Sequence, residues 1–421
     1  MPQRLIVGLD IGSSRIRFAI GQVVTGGERG PSLSIIGGVE QPSQGVTKGV
    51  VTALEDAVAA LSSSLEIAER QMGVPLEEAV VGIGGTHISV MPSKGVVGVS
   101  RADGDIRPED LERVLETATS SANPANYEIL HVLSHGYTVD GQAGIIDPVG
   151  MHGIRLEVAA HLVLGVAGNV RNMTKCVFRT GLDISSLVFG PLASAEAVTT
   201  SRERELGVCV VNIGASTTSV LVFEDGALLH AAVLPLGSDH ITSDIAIGLR
   251  TSLAAAEQIK LAHGHAVPDA VGKRDEIDVA DFGGEASEVV SLRLIAEMIE
   301  ARVEELFEKV EQELRKADRS GLLPAGAVLT GGGAKLPGMT DMAKHVLRLP
   351  SSVGAATHLG TPIPELIHDP AFSTAVGLVQ WGFEESRRGQ ERSGGKFASR
   401  GTAAMGKIGS TLKNVFKSFI P

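Results

Sequence analysis

Two stretches far apart in the chain carry the same pattern of apolar and polar positions. Val7-Gly8-Leu9-Asp10-Ile11-Gly12-Ser13-Ser14 is followed by Ile16, Phe18 and Ile20. Val210-Val211-Asn212-Ile213-Gly214-Ala215-Ser216-Thr217 is followed by Val220, Val222 and Phe223. In each, an apolar run meets Asp or Asn, then an apolar residue, a glycine and small hydroxyl residues, and apolar alternation resumes. This predicts strand, tight turn, strand, twice. Around the first copy, residues 4–38 read as three strands, 52–72 as an amphipathic helix and 80–83 as a returning strand, a compact α/β start. The texture changes over 84–165, where 96–99, 128–137 and 156–164 read as strands and 108–121 as a helix opened by Pro108. Residues 170–181 read as a helix. After the second copy, 238–248 and 253–264 read as helices, and 269–284 is polar with short β-like pieces. Residues 288–318 form a long amphipathic helix with Ile295, Met298, Ile299, Val303, Leu306, Phe307, Val310 and Leu314 on one stripe.

The globular pattern ends near Trp381. Residues 384–404, rich in Arg, Gly, Ser and Glu, read as a flexible linker. In 405–421 the apolar Ile408, Leu412, Val415, Phe416, Phe419 and Ile420 recur at helical spacing, accompanied by Lys407, Lys413 and Lys417 and no acid. The whole chain carries −12, but from Glu384 onward eight basic residues face three acidic ones, so this tail is +5 and the rest −17. Such an asymmetry points to a partner. A short cationic amphipathic helix suits an anionic membrane surface, and the linker that frees it favours this over docking on its own body. Self-assembly would strengthen so reversible an attachment by avidity.

At 421 residues and 43% hydrophobic content the chain can hold two or more domains with sizeable cores. The negative balance argues against a general nucleic-acid binder. The two cysteines, Cys176 and Cys209, sit in apolar contexts and fit buried thiols in a reducing compartment. There is no signal peptide pattern and no apolar stretch near the ~20 residues of a membrane span, so a cytoplasmic location is expected. His87, His131, His135 and His152 lack zinc-ligand spacing.

Glycines at the two turns, Gly12 and Gly214, allow a sharp bend and close approach to a ligand, and the neighbouring hydroxyls and N–H groups can cradle phosphate oxygens. A third motif, Val328-Leu329-Thr330-Gly331-Gly332-Gly333-Ala334, runs from a strand end into three glycines, with a helix-like segment following near Met339. Its backbone lets a flat ring lie against it. No GxxxxGK[ST] pattern is present. This order resembles the actin, sugar kinase and Hsp70 superfamily. Asp10 to Arg15 match its first phosphate loop, Asn212 to Thr218 its second and Thr330 to Ala334 its adenosine loop. The stretches beginning Phe189-Gly190-Pro191 and Ser373-Thr374-Ala375 match its two hinge helices. The resemblance implies an actin-like two-domain α/β ATPase fold built on ribonuclease H-like repeats, with ATP and Mg2+ as ligands.

The stretch from Gly84 to Gly165 narrows the resemblance. Val81-Gly82-Ile83-Gly84-Gly85-Thr86-His87-Ile88 and Ile145-Ile146-Asp147-Pro148-Val149-Gly150-Met151-His152-Gly153-Ile154-Arg155-Leu156-Glu157-Val158 resemble the 1C subdomain of the bacterial cell-division FtsA family. Ser243-Asp244-Ile245-Ala246 and Ala256-Glu257-Gln258-Ile259-Lys260 fit the same family. The implied organisation is 1–83, 166–201 and 357–383 as subdomain 1A, 84–165 as 1C, 202–244 and 325–356 as 2A, and 245–324 as 2B. A linker over 384–404 and a membrane-targeting helix over 405–421 complete it.

The family resemblance implies an ATP-binding protein that polymerises like actin on the inner face of the cytoplasmic membrane at the division septum. It would tether the FtsZ ring by that protein's C-terminal peptide and help recruit later division proteins. The implied ATP contacts are Asp10, Gly12, Ser13, Ser14, Arg15, Asn212, Gly214, Ala215, Ser216, Thr217, Gly237, Glu257, Lys260, Gly331, Gly332, Gly333 and Ala334. Asp10 would hold Mg2+ through water. Arg302 matches a position that meets the FtsZ peptide; read from the residues alone, it is equally a solvated helix-face residue, and Glu257 and Lys260 equally a surface ion pair. The chain departs from the superfamily at Asn212, where Asp is usual, at Ser219, where many relatives have an acid, and at Gly190, where Hsp70-like ATPases have a catalytic Glu. An amide is a poor general base and metal ligand, so binding without fast hydrolysis is expected, and the protein is read as an assembly factor rather than an enzyme. The alternatives are a PilM-like pilus-assembly adaptor and a small-molecule kinase of the same fold.

Overall fold

The computed structural model describes residues 4–27, 30–101, 103–121, 124–283, 288–356 and 365–394. Its frame is a repeat. One sheet runs in the order Gly30–Pro42, Arg15–Gly27, Leu5–Ile11, Glu78–Ile83, Asp183–Phe189. The other runs Ala227–Leu234, Thr218–Glu224, Val208–Ile213, Ala327–Thr330, Ser351–Val353. In both, a three-strand antiparallel meander is extended on the side of its first strand by two parallel strands. The registers match as well. Ile11 faces Ile16 across the first turn and Ile213 faces Thr218 across the second, so Asp10 and Asn212 occupy the same place in each half. This is the actin-like α/β architecture. The central strands are apolar on both faces, as strands covered on both sides must be; Val208, Cys209, Val210 and Val211 are all fully buried. That burial pushes the Cys209 thiol up to about 12.

Helices cover the sheets with the stripes their sequences carry. Leu54–Met72 packs Ala57, Leu61, Leu65 and Ala68 onto the first sheet and stops at Gly73, whose left-handed backbone (φ 69°) closes the last turn. The long helix of the second half buries Ile295, Ile299, Val303, Leu306, Phe307, Val310 and Leu314. It begins later than its periodicity suggests. Val289–Ser291 pairs with Glu276–Asp278 as a short ribbon, and the helix runs Leu292–Lys316 with the Ser291 side chain accepting from the Arg293 N–H. The β-branched Val289 and Val290 and a good cap explain the shift.

The insert is a four-stranded antiparallel sheet in the order Ile88–Gly98, Arg155–Val166, Tyr127–Val139, Gln142–Ile145. Helix Pro108–Ser121 lies on it through Leu111, Val114, Leu115 and Ala118. A Cβ at Gly95 would sit 2.0 Å from the Val114 carbonyl oxygen, so the helix approaches as closely as it does only over a glycine. The first strand starts at Ile88 rather than 96, because Pro92, Ser93 and Lys94 interrupt the apolar pattern while the backbone stays extended.

Two helices connect the halves. Gly190–Val198 and Ser373–Gly394 cross where a Cβ at Gly377 would lie 1.8 Å from the Ala193 carbonyl oxygen. Around them one apolar cluster joins both sheets and the insert, including Ile83, Val163, Phe189, Val210, Leu221, Val328, Phe372 and Val376. The second connecting helix also corrects the linker reading: it continues through 384–394, because Glu, Arg and Gln are good helix formers and Glu384 pairs with Arg387 one turn on at 3.1 Å. Residues 395–404 and the amphipathic 405–421 segment lie outside the described residues. No helix among the described residues is long and apolar enough to cross a membrane.

Among the described residues His87 and His131 are buried and His161 is half-buried. Desolvation pushes His87, His131 and His161 each down to about 4 from the ordinary 6.5. His131 Nε2 accepts the Phe189 N–H at 2.8 Å and so requires the neutral ring. With the folded values depressed, the unfolded chain binds more protons between about 4 and 6.5. The stabilisation is therefore complete above 6.5 and drains as the pH falls. Stability should drop by up to about 1.4 kcal/mol per histidine for each pH unit in that window. Urea melts at pH 7.5, 6 and 5 check this; equal midpoints would rule it out.

Candidate functional site

Both hairpin turns open into one cleft between the halves. It encloses about 800 Å³, counted out to solvent, and is lined by Asp10, Gly12, Ser13, Ser14 and Arg15 from one side and Asn212, Gly214, Ala215, Ser216 and Thr217 from the other. The two turns close identically: the Gly12 N–H donates to the Arg15 carbonyl at 3.0 Å and the Gly214 N–H to the Thr217 carbonyl at 2.9 Å. Gly331 and Gly332 of the third loop line the same cleft.

The three consecutive glycines have three different reasons to lack a side chain. Gly331 is left-handed (φ 84°), and a Cβ there would meet the Asn212 Oδ1 at 2.5 Å and the Ile213 carbonyl oxygen at 2.6 Å. Gly333 is buried, and its Cβ would strike Ile213 Cγ2 at 2.4 Å. Gly332 meets nothing within 4 Å and faces open cleft. Gly333 and Ala334 thus pack behind the loop rather than along the cavity.

The remaining sequence-derived contacts lie a layer back and are not part of the cleft lining. Gly237 caps helix Ser238–Gly248, and its Cβ would sit 2.4 Å from the Ala215 carbonyl oxygen, so it lets that helix abut the second phosphate loop. Glu257 and Lys260 form a half-buried lock, with the Lys260 side chain buried and that of Glu257 41% exposed. Lys260 Nζ lies 2.6 Å from Glu257 Oε2 and donates to Thr242 Oγ1 at 2.8 Å, while Thr242 donates to Glu257 at 2.5 Å. This ties Leu253–His263 to Ser238–Gly248.

Arg17 also lines the cleft, and the sequence reading missed it. It pairs with Glu40 at 2.7 Å and lies over the Phe372 ring, 5.8 Å from its centre. The available signal was a second arginine, two residues after Arg15, between the apolar Ile16 and Phe18. Gly49, Gly84 and Gly85 were missed too. A Cβ at Gly49 would lie 2.0 Å from the Gly84 carbonyl oxygen, so two backbones touch at the cleft wall.

The lining carries two guanidinium groups, Arg15 and Arg17, and one carboxylate, Asp10. Burial raises the Asp10 pKa, opposed by the facing Arg17. A bound dication would favour its charged form. The buried hydroxyls of Ser43 and Thr218 have no partner among the described residues; Ser43 is bonded through its backbone to Ser14, and Thr218 ends the second loop. Bare amides, glycines and positive charge in a cleft suit a polyphosphate.

Arg302 is elsewhere, on the long helix of the second half. Its Nε and terminal nitrogen hold both oxygens of Asp244, at 2.5 and 2.9 Å, and it also bonds Glu305. The Asp244 hydrogen bonds, ahead of the nearby negative charge, raise its pKa.

Paired sheets of one topology around a shared cleft define a protein of the actin-like fold. A chain of the PilM–PilN type IV pilus biogenesis complex superimposes with a TM-score of 0.63 at 18% identity, covering 90% of this chain and 98% of that one. MreB 5 of Spiroplasma citri bound to AMPPNP does so with a TM-score of 0.53 at 12% identity, covering 93% and 99%. The family model for "Cell division protein FtsA" matches residues 209–377, and that for "SHS2 domain inserted in FTSA" matches 85–164. Cell division protein FtsA of Pseudomonas aeruginosa is 37% identical over 93% of this chain and 92% of its own length. That of Escherichia coli is 34% identical over 98% and 99%. The chain belongs to the FtsA family of cell-division proteins.

Proposed function

We propose that this chain binds magnesium-ATP in the cleft and uses it as a structural and regulatory ligand of an actin-like filament. That filament lies on the inner face of the cytoplasmic membrane at the septum, tethers the FtsZ ring and helps recruit later division proteins. The reading rests on one observation above all: two hairpin turns of identical geometry meet in one cleft beside a glycine whose only neighbour is open space. The amides of Ser13 to Arg15 and Ala215 to Thr217 would hold the phosphates, with Arg15 and Arg17 offsetting their charge. The base would lie against Gly332. Asp10 would hold hydrated Mg2+, which would offset the negative charge of the phosphates. That a protein of this fold is bound to AMPPNP supports the reading.

Turnover should be slow or undetectable. Asp10 is the one carboxylate in the lining, while Asn212, Ser219 and Gly190 stand where a second could be. None of the three can serve as a general base. Nucleotide titration with a phosphate-release assay tests both halves: saturable binding with little release is expected, and turnover near 10 per second, a common enzyme value, would overturn the assembly reading.

Arg302 is proposed to meet the acidic FtsZ tail. Since Asp244 already occupies its fork, an incoming carboxylate competes with a bound one. Arg302→Glu should therefore weaken binding of a tail peptide, and Asp244→Asn should strengthen it, with ATP affinity unchanged in both. Fluorescence anisotropy reads this; unaltered peptide affinity in both variants would return Arg302 to a purely structural role.

A further inference from the structure

We infer that Asn212 is a positioning residue that clamps the second phosphate loop to both connecting helices, so that occupancy of the cleft is transmitted to the crossing between the halves. Its Nδ2 donates to Ser194 Oγ on Gly190–Val198 at 3.1 Å and to Thr374 Oγ1 on Ser373–Gly394 at 3.3 Å. Its Oδ1 faces the third loop, lying 2.5 Å from where a Gly331 side chain would begin. One side chain thus touches both glycine loops of its half and both helices.

The amide suits the hydrogen bonds in place. Ser194 spends its single proton on the Pro191 carbonyl, at 2.9 Å, so its oxygen can only accept from residue 212. Aspartate there would set one acceptor against another. The contrast with the first half makes the same point. Asp10 is paired in register with Arg17, a charge facing a charge. Asn212 is paired with Ser219, and its polar contacts are all neutral. The halves share a topology but not a chemistry: one presents a carboxylate to the ligand, the other turns the equivalent group toward the hinge. Only a few residues beyond these contacts the helices cross, at Gly377 and Ala193. A shift of the second loop on meeting a phosphate therefore pulls directly on both helices at their closest approach.

This inference rests on the nucleotide reading, and the experiment separates the two. Amide hydrogen exchange is followed in Gly190–Val198 and Ser373–Gly394 for the native chain, Asn212→Leu, Asn212→Asp and Ser194→Ala, each without nucleotide and with Mg-ATP. In the native chain ATP should slow exchange in both helices. In all three variants the nucleotide-free helices should exchange roughly tenfold faster, the scale of one or two lost hydrogen bonds, and the ATP-dependent slowing should vanish. Ser194 lies outside the cleft lining, so Ser194→Ala should keep native ATP affinity while losing the slowing, which separates transmission from binding. Helix exchange identical to native in Ser194→Ala and Asn212→Leu would overturn the clamp. So would Asn212→Asp that releases phosphate many times faster with helices unchanged, since residue 212 would then act on the ligand. Absence of ATP binding by the native chain would sink the nucleotide reading instead, leaving the nucleotide-free comparison to decide the clamp.

Discussion

Gly332→Leu is expected to abolish ATP binding without moving the melting temperature. An ideal Cβ at this glycine meets nothing within 4 Å, and its φ lies outside the left-handed region, so the fold has room for a side chain. That room is the cleft itself. A leucine would fill the volume assigned to the flat base, and a loss of at least ~100-fold in affinity, about 2.7 kcal/mol, is expected. The neighbouring glycines supply the control. Gly333→Ala forces a methyl onto Ile213 Cγ2 at 2.4 Å in a buried place, and such overpacking costs roughly 1–3 kcal/mol. It should lower the melting temperature. Titration and thermal melts of both variants decide the matter: Gly332→Leu that binds ATP normally would remove the base from this loop.

Membrane attachment should depend wholly on residues 405–421. Truncation after Ala404 is expected to abolish flotation with anionic vesicles, and Phe416→Glu to do so by one change. Phe416 sits in the middle of the apolar stripe. Burying a Phe is worth roughly 1.5–3 kcal/mol, while each Lys near an anionic surface adds roughly 1 kcal/mol. The Glu removes the first and opposes the second. The body should melt as the native chain does. If the truncated protein floats as well as the intact one, the segment is not the anchor and docking on the protein's own body replaces the membrane reading.

The repeat was legible because it is written in period-two apolar patterning around a glycine turn, the most local of signals. Strands such as Val208–Ile213 and helices such as Leu54–Met72 follow directly from theirs. Where the reading failed, longer-range terms decided. Val289 and Val290 became a ribbon because a partner strand was present, and Ile88–Gly98 stayed extended through Pro92 because Arg155–Val166 pairs along its whole length. Residues 384–394 look like a linker by composition, yet they prolong a helix already nucleated in the core. In the site, glycine-rich loops announced themselves, but Arg17 did not, because only the fold shows that its side of the strand faces the cleft. The roles of Gly331, Gly332 and Gly333 were likewise indistinguishable in one dimension.

The apolar cluster that runs through both sheets has a consequence for how the molecule comes apart. Val210, Leu221 and Val328 of one half lie in the same packed mass as Ile83, Phe189 and Val376 of the other. Each half keeps a cluster of its own, but this third mass is common to both, so either half expressed alone would leave part of its apolar surface uncovered. A protease nick in the exposed turn of helix at Ser201–Leu206 would sever the polypeptide between the halves and still leave the fragments interlocked. What joins the duplicated halves is therefore not only the chain that runs between them but an interior they share.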